Sequence, residues 1–398
     1  MTGNMPSVIV MGGSLGGLTA ALFLRDLGCP VKVLERSRTP LAGRGAGIVL
    51  NPATVRYFTL RGTRDVRSVS VATKSVRYLG ADGRIAAEQQ VTYRFSSYNA
   101  MYHALLEAFG PDDYHLGQNV TGFEQDAQGV TVHVDGSPAE RCDLLICAGG
   151  VRSPARSWLL GDAPLEYAGY VAWRGMLSQG EVTPETFALL RDAIVYHILP
   201  AGHVLIYPIP VIEEGMSEPE PYINWLWYRN VPTGLAFDAL MTDEDGKMRD
   251  VSLGPGEVRG ENVAALRRDA AEALPQPLAE LIRATNEPFI QAMMDCEIPR
   301  MAFGRVALMG DGAFVARPHA AAGTAKAAED GWQLSKALEA AGGDVPTALR
   351  QWEIGQLAVG RSLVDRNRQA GTLLQNGTWP VGAPLSFGLY ETGDSVMP

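Results

Sequence analysis

The sequence predicts an α/β chain in which a Rossmann-like dinucleotide-binding domain is interleaved with a second domain built on an antiparallel sheet. Three observations carry this. Residues 8–36, VIVMGGSLGGLTAALFLRDLGCPVKVLER, read as strand, glycine turn, helix, second strand and then an acidic residue. Residues 304–334, near the other end of the chain, read as strand, Gly-Asp turn, loop with proline, and helix. Between them, residues 168–230 are rich in aromatic and β-branched residues with Pro and Gly breaks, the pattern of antiparallel strands.

Val8 to Met11 form a short apolar run of the kind found in buried parallel strands. Leu18, Ala21, Leu22 and Leu24 fill the following helix, and Gly28 stops it. Val31, Val33 and Leu34 begin the next strand, completing one βαβ unit. Within the turn, Gly12 permits the tight bend and Gly17 lets helix and strand approach. Leu15 and Gly16 open the helix, whose free N–H groups suit a pyrophosphate. Ser14 stands where a glycine is usual, and its hydroxyl can donate to a phosphate oxygen. Glu35, twenty-three positions beyond Gly12 and followed by Arg36, would accept from ribose hydroxyls and repel a 2′-phosphate. On this turn alone FAD and NAD are equal candidates.

Further along, the sequence predicts a strand over 74–80, a helix over 100–109, and strands over 120–125, 130–134 and 143–148. It predicts helical structure over 261–286, a strand over 306–309, and an Ala-rich helix over 323–341 closed by Gly342 and Gly343. The last twenty or so residues, rich in Gly, Pro and aromatics, read as an irregular tail.

Composition narrows the function. The 398 residues are 46% hydrophobic and 20% charged, enough for a sizeable core, and the net charge of −10 argues against a nucleic-acid partner. The four cysteines include no Cys-x-x-Cys. Cys142 and Cys147, read on opposite faces of one strand, cannot bridge, which argues against a redox disulfide beside a flavin. Reduced thiols, no targeting signal and no apolar run long enough to span a membrane point to a soluble cytoplasmic protein. The six histidines show no metal-ligand spacing, so no metal is expected.

The segment GRVALMGDGAFVARPHAAAGTAKAAEDGWQL resembles the Gly-Asp motif of the single-component FAD-dependent aromatic hydroxylases. The resemblance implies that Asp311 binds the ribityl chain of FAD. It also places Pro318, Ala321 and Ala322 in the loop beside the flavin ring, with Gly323 opening the next helix. Residues 143–156, DLLICAGGVRSPAR, resemble the family's second signature: Gly150, Ser153 and Arg156 match, while Gly149 stands where an aspartate belongs. The family's arginine before the helix at 100–109 is missing, with Tyr98 near its place, and Arg44 or Arg56 are the alternative sources of positive charge. Gly47, Ile48 and Val120 are assigned to the cofactor by the same resemblance.

The segments ERSRTPLAGRGAGIVLNP, FSSYNAMY, YAGYVAWRG, YPIP and RPHAAAGTAKA extend the likeness over nearly the whole chain, to a subgroup acting on dihydroxypyridines. It implies a para-hydroxybenzoate hydroxylase-like architecture: an FAD-binding domain from residues 1–73, 98–167 and 297–375, a substrate domain from 74–97 and 168–296, and a tail from 376. It also implies tightly bound FAD, NADH or NADPH as transient co-substrate, O2, a small aromatic or N-heteroaromatic substrate, and a homodimer. His319, beside Pro318, is the candidate catalytic base, or else it only hydrogen-bonds its loop. Tyr207, Trp225 and Trp227 alternate along predicted strands and are candidates for the substrate pocket or for ordinary core. Arg174 and Arg317 either hold an anionic group or are structural. The competing readings are a flavin-dependent NAD(P)H oxidase and a non-catalytic or regulatory FAD-binding protein; the missing aspartate at Gly149 fits the latter.

Overall fold

The structure, a computed structural model, describes residues 5–41, 47–161, 165–211 and 220–390. Its first sheet has six strands in the order Ala302–Phe303, Val306–Leu308, Leu144–Cys147, Val8–Met11, Val31–Glu35 and Tyr114–Leu116. All neighbours are parallel except the first pair. Val8–Met11 lies inside this sheet and is buried on both faces, which is why it reads as an unbroken apolar run. Helix Leu15–Asp26 covers one face. Leu18, Leu22 and Leu24 are fully buried there, each contributing roughly 1.5–3 kcal/mol of apolar burial.

That helix in turn packs on helix Gly323–Ala340, with small residues at the seam: a Cβ on Gly16 would lie 2.9 Å from Ala327, and one on Gly331 would lie 2.7 Å from Ala20. The close approach brings the N-termini of both helices to one place. At Gly17 a Cβ would fall 1.9 Å from the Gly12 carbonyl oxygen, so only glycine allows the helix to start so near its strand.

The second large sheet has eight strands, ordered Ser252–Leu253, Phe289–Asp295, Glu166–Leu177, Glu220–Asn230, Gly202–Val211, Ala193–Leu199, Ser75–Leu79 and Ile85–Gln90. It is antiparallel apart from the pairing of Ala193–Leu199 with Ser75–Leu79. One face joins the main core through Trp173, Val195, Ile206, Trp225 and Trp227. The other carries Tyr196, Tyr207, Leu226 and Tyr228 in a smaller cluster with Val49 and Phe95. Those last two come from a three-stranded sheet of Gly47–Leu50, Arg94–Ser97 and Val71–Ala72.

Several elements differ from expectation. The strand predicted over 143–148 is present as Leu144–Cys147 in the parallel sheet, but Cys142 is not on it: that residue ends Glu140–Cys142, a strand of a separate small sheet. Cys142 and Cys147 are both free and buried, and burial pushes the Cys142 thiol up to about 11. The helical stretch over 261–286 breaks at Pro275 into Gly260–Ala273 and Gln276–Ala284. A long helix, Val345–Gln375, was not foreseen; Asp344 caps it by accepting the Thr347 N–H at 3.1 Å. The segment after it is tied down. The Tyr78 hydroxyl donates to the Ala383 carbonyl at 2.8 Å, and the Gly388 N–H donates to the Ala320 carbonyl at 2.9 Å. No helix among the described residues is long and apolar enough to cross a membrane.

Candidate functional site

Three cavities run in series along the C-terminal ends of the parallel strands. The first, of about 250 Å³, lies between the opening glycine turn and Glu35, Arg36, Val120, Gly149 and Gly150. The second, of about 210 Å³, shares Ser14, Tyr98, Ala148 and Gly150 with it and continues past Leu15 and Gly16 to Asp311, Gly323 and Thr324. The third, of about 250 Å³, shares Asp311, Gly323 and Thr324 with the second. It opens between the 316–323 loop and the aromatic face of the eight-stranded sheet. Crevices outside the carboxyl ends of parallel strands are where nucleotides bind in such sheets.

Each compartment has its own chemistry. In the first, Gly12 adopts φ of 109° and its N–H donates to the Leu34 carbonyl at 2.9 Å, which turns the chain away from the strand. Glu35 is held rigidly: its carboxylate accepts from the Gly13 N–H at 2.9 Å and the Ser37 N–H at 2.8 Å. A carboxylate has about four lone-pair directions, so capacity remains for ribose hydroxyls. In the second compartment two helix N-termini converge, at Ser14–Gly16 and at Gly323–Thr324. Their unpaired N–H groups and partial positive charge suit a pyrophosphate without any arginine. Ser14 shares a hydrogen bond of 2.8 Å with the Tyr98 hydroxyl, so its hydroxyl is partnered within the protein. Tyr98 thus stands at the junction of the first two cavities.

Asp311 sits at the second junction, in a single 3-10 turn over Gly310–Gly312. Burial raises its carboxyl to about 6 against the opposing pull of Lys326 and Arg156, so it enters neutral solution close to its protonation point. The turn is anchored from behind. The Gly310 N–H donates to Asp330 at 2.9 Å, and Asp330 forms a fully buried ion pair with Lys326 one helical turn away. Arg156, itself buried, donates to the carbonyls of Asp311, Gly312 and Val151, tying the two signature segments together.

The departure at Gly149 has a local consequence. A Cβ there would lie 3.2 Å from the Ser153 hydroxyl oxygen, and that hydroxyl is buried without a partner. Gly150 and Gly323 have nothing within 4 Å of where a side chain would start, leaving open cradle on both sides of the second compartment. The glycine turn, paired helix N-termini, open cradle and Asp311 together fit an extended FAD molecule.

The third cavity contains Gly47, Ile48, Tyr207, Pro318, His319, Ala321 and Ala322 from the expected set. Ala321 takes φ of 51°, which kinks the loop toward the next helix. The Tyr207 hydroxyl donates to the Gly47 carbonyl at 3.3 Å, and its ring stacks on Phe95. Trp225 and Trp227 do not reach the cavity: they face the opposite side of the sheet, where the Trp225 indole N–H donates to Thr285 at 2.9 Å. Tyr207 lines the pocket as expected, but on strand Glu220–Asn230 it is Leu226 and Tyr228, one residue out of step with the two tryptophans, that do so. Sequence reading also missed Tyr196, Leu205, Gln291 and the tail residue Phe387, all in the wall.

His319 shares a 2.7 Å hydrogen bond through Nε2 with the Tyr170 hydroxyl. Burial first, then the nearby Arg317 charge, lowers its pKa to about 3, so the ring is neutral. Among the arginines considered, Arg56 pairs with Glu329 and Arg317 pairs with Asp295 at 2.8 Å. Arg44 lies outside the described residues. Arg174 lines the third cavity, with Nη1 donating to Gln291 at 2.8 Å.

Comparison with known proteins agrees with this geometry. Residues 5–169 match the FAD binding domain family and residues 167–295 match the FAD binding domain-like family. The chain is 38% identical to the 2,6-dihydroxypyridine 3-monooxygenase of Paenarthrobacter nicotinovorans, over 99% of this chain and 98% of that one. It is 26% identical to the 6-hydroxynicotinate 3-monooxygenase of Pseudomonas fluorescens, over 85% and 83% of the two chains. The solved structure of 2,6-dihydroxypyridine-3-hydroxylase from Arthrobacter nicotinovorans superposes with a TM-score of 0.92 at 35% identity, covering all of both chains. A salicylate hydroxylase substrate complex shares the fold, with a TM-score of 0.74 at 19% identity over 94% and 89% of the two chains.

Proposed function

Since this chain belongs to the single-component FAD-dependent aromatic hydroxylases, we propose that it hydroxylates a small, electron-rich N-heteroaromatic ring of the dihydroxypyridine type. The observation that carries the reading is the third cavity, where the loop expected beside the flavin faces an aromatic sheet wall across a space suited to one small ring. FAD, reduced by NADH or NADPH, supplies the transfer of one oxygen atom from O2 to the ring.

The protein's own residues bind, orient and exclude water. The opening turn and Glu35 hold the nucleotide end, the two helix N-termini hold the pyrophosphate, and Asp311 accepts from the ribityl hydroxyls. Tyr196, Tyr207, Leu226 and Tyr228 form a wall that keeps the reacting face dry. His319 acts as a neutral hydrogen-bonding group toward a ring oxygen. Burial and the Arg317 charge both favour the neutral ring, so the role we assign to it is to orient the substrate. Burial keeps the Tyr170 hydroxyl protonated. When that hydroxyl donates to Nε2, His319 carries its own proton on Nδ1 and presents a donor. A cytoplasmic homodimer is the assembly we propose, to be checked by sedimentation of the purified protein.

The test is direct. The purified protein should be yellow, and NADH or NADPH oxidation with oxygen uptake should accelerate on adding 2,6-dihydroxypyridine, with a hydroxylated product detected. Oxidation that yields only hydrogen peroxide with every ring tested would remove the hydroxylase reading and leave an NAD(P)H oxidase.

A further inference from the structure

We propose that Arg174 is the specificity-determining residue of the third cavity, binding an anionic oxygen carried by the aromatic substrate. The inference rests on the hydroxylase reading above and deepens it. Arg174 lies on strand Glu166–Leu177, and its cross-strand partner Leu226 is also part of the cavity wall. No carboxylate among the described residues pairs with it; its polar neighbours are neutral, the Gln291 amide at 2.8 Å and the Tyr207 hydroxyl. The other arginines considered for the site are committed elsewhere: Arg317 to Asp295, Arg56 to Glu329, and Arg156 to three backbone carbonyls.

A second observation comes from the same sheet face. Asn224 is fully buried there and, like Arg174, sits beside the Tyr207 hydroxyl, adding a neutral amide and no charge. It pairs across the strands with Tyr207. Arg174 Nε is buried without a partner. The Tyr207 and Tyr228 hydroxyls next to this group are held neutral by burial and provide no counter-charge. A half-buried cation with no counter-ion is costly unless something anionic reaches it from the cavity it lines. Gln291 occupies Nη1 and Nε is closed to solvent, which leaves Nη2 as the donor for a ring oxygen in the cavity that Arg174 lines. The anion can be an ionised ring hydroxyl or a ring carboxylate; both present the same chemistry to Arg174.

The FAD-loaded protein is titrated with 2,6-dihydroxypyridine, with 6-hydroxynicotinate, and with a neutral O-methylated dihydroxypyridine, following perturbation of the flavin absorbance. The wild type should prefer an ionised ligand over the neutral one by about tenfold or more, as expected for one charge-assisted hydrogen bond. Its affinity for dihydroxypyridine should follow the ionisation of the ligand itself as pH is varied. Tight binding of dihydroxypyridine identifies the ring oxyanion as the recognised group, and tight binding of hydroxynicotinate identifies the carboxylate. Arg174→Met should retain FAD and its visible spectrum while losing most of the preference, and Arg174→Lys should restore part of it. If Arg174→Met, flavin-loaded, keeps the wild-type preference, Arg174 does not read charge. If the wild type shows no preference and no pH dependence, the inference fails without any variant. A wild type that binds none of the three ligands overturns the substrate reading and this inference together.

Discussion

Replacing Lys326 by Met while keeping Asp330 should destabilise the flavin-loaded protein by about 3–5 kcal/mol, the usual cost of leaving one member of a buried ion pair alone. The two side chains are 2% and 0% exposed, and the ammonium sits 2.5 Å from one carboxylate oxygen. The other oxygen accepts only the Gly310 N–H. Burial already pushes the Asp330 carboxyl up, and Lys326 is the first force holding it down. Without Lys326 its folded pKa rises further above the ordinary value of 3.8. Stability of the variant should therefore fall as pH increases from that ordinary value through the raised one, because the folded state then has to give up a proton it prefers to keep. Lys326→Met/Asp330→Asn removes both charges and keeps an amide oxygen for Gly310, so it should lie within about 1–2 kcal/mol of wild type. Urea unfolding followed by circular dichroism, with flavin fluorescence to report FAD release, gives all four corners of the cycle. If the two single substitutions simply add in the double variant, the pair is not the anchor of the Gly-Asp turn.

Three further outcomes follow from the geometry. Ser14→Ala and Tyr98→Phe each remove the same 2.8 Å hydrogen bond, so each should weaken FAD retention by about 0.5–1.5 kcal/mol, and the double variant should be no worse than either, measured by equilibrium dialysis of FAD. Gly17→Ala sets a Cβ 1.9 Å from a backbone oxygen and should abolish flavin incorporation; a yellow, fully loaded variant would contradict the turn geometry. His319 has an ordinary pKa of 6.5 and a folded value of about 3, so it should cost stability as pH falls through that window while contributing nothing to the pH profile of kcat/KM between about 7 and 9. A His319→Gln variant should flatten the acid limb of stability, as seen in Tm against pH.

The glycine turn and the Gly-Asp segment were legible because each depends on backbone geometry that few residue types allow. Gly12 at positive φ, Gly17 against a carbonyl, and Asp311 in a one-turn helix leave marks that do not depend on the rest of the fold. The pocket wall was only half legible. Strand alternation in 222–228 shows that Trp225 and Trp227 share a face and that Leu226 and Tyr228 share the other, but both faces are apolar and both are buried. Nothing local says which one meets the flavin. Lys326 and Asp330, four residues apart on an Ala-rich helix, carry no local mark of burial, and only packing against the Gly-Asp turn makes them an anchor. Phe387 was beyond reach for another reason: it enters the cavity from a tail with no periodicity, held by backbone hydrogen bonds to distant residues such as Ala320.

The strand order of the parallel sheet also bears on how the protein is made. Val8–Met11 and Leu144–Cys147 are both synthesised well before Val306–Leu308, the partner on the far side of Leu144–Cys147. During that interval an apolar strand edge with unpaired backbone groups stays open, the kind of edge that recruits other chains. FAD arriving then would find the Glu35 end of its site formed and the Asp311 end absent. A complete FAD site therefore requires the Asp311 segment, and flavin supply together with slow, cool expression should govern how much of the chain escapes aggregation.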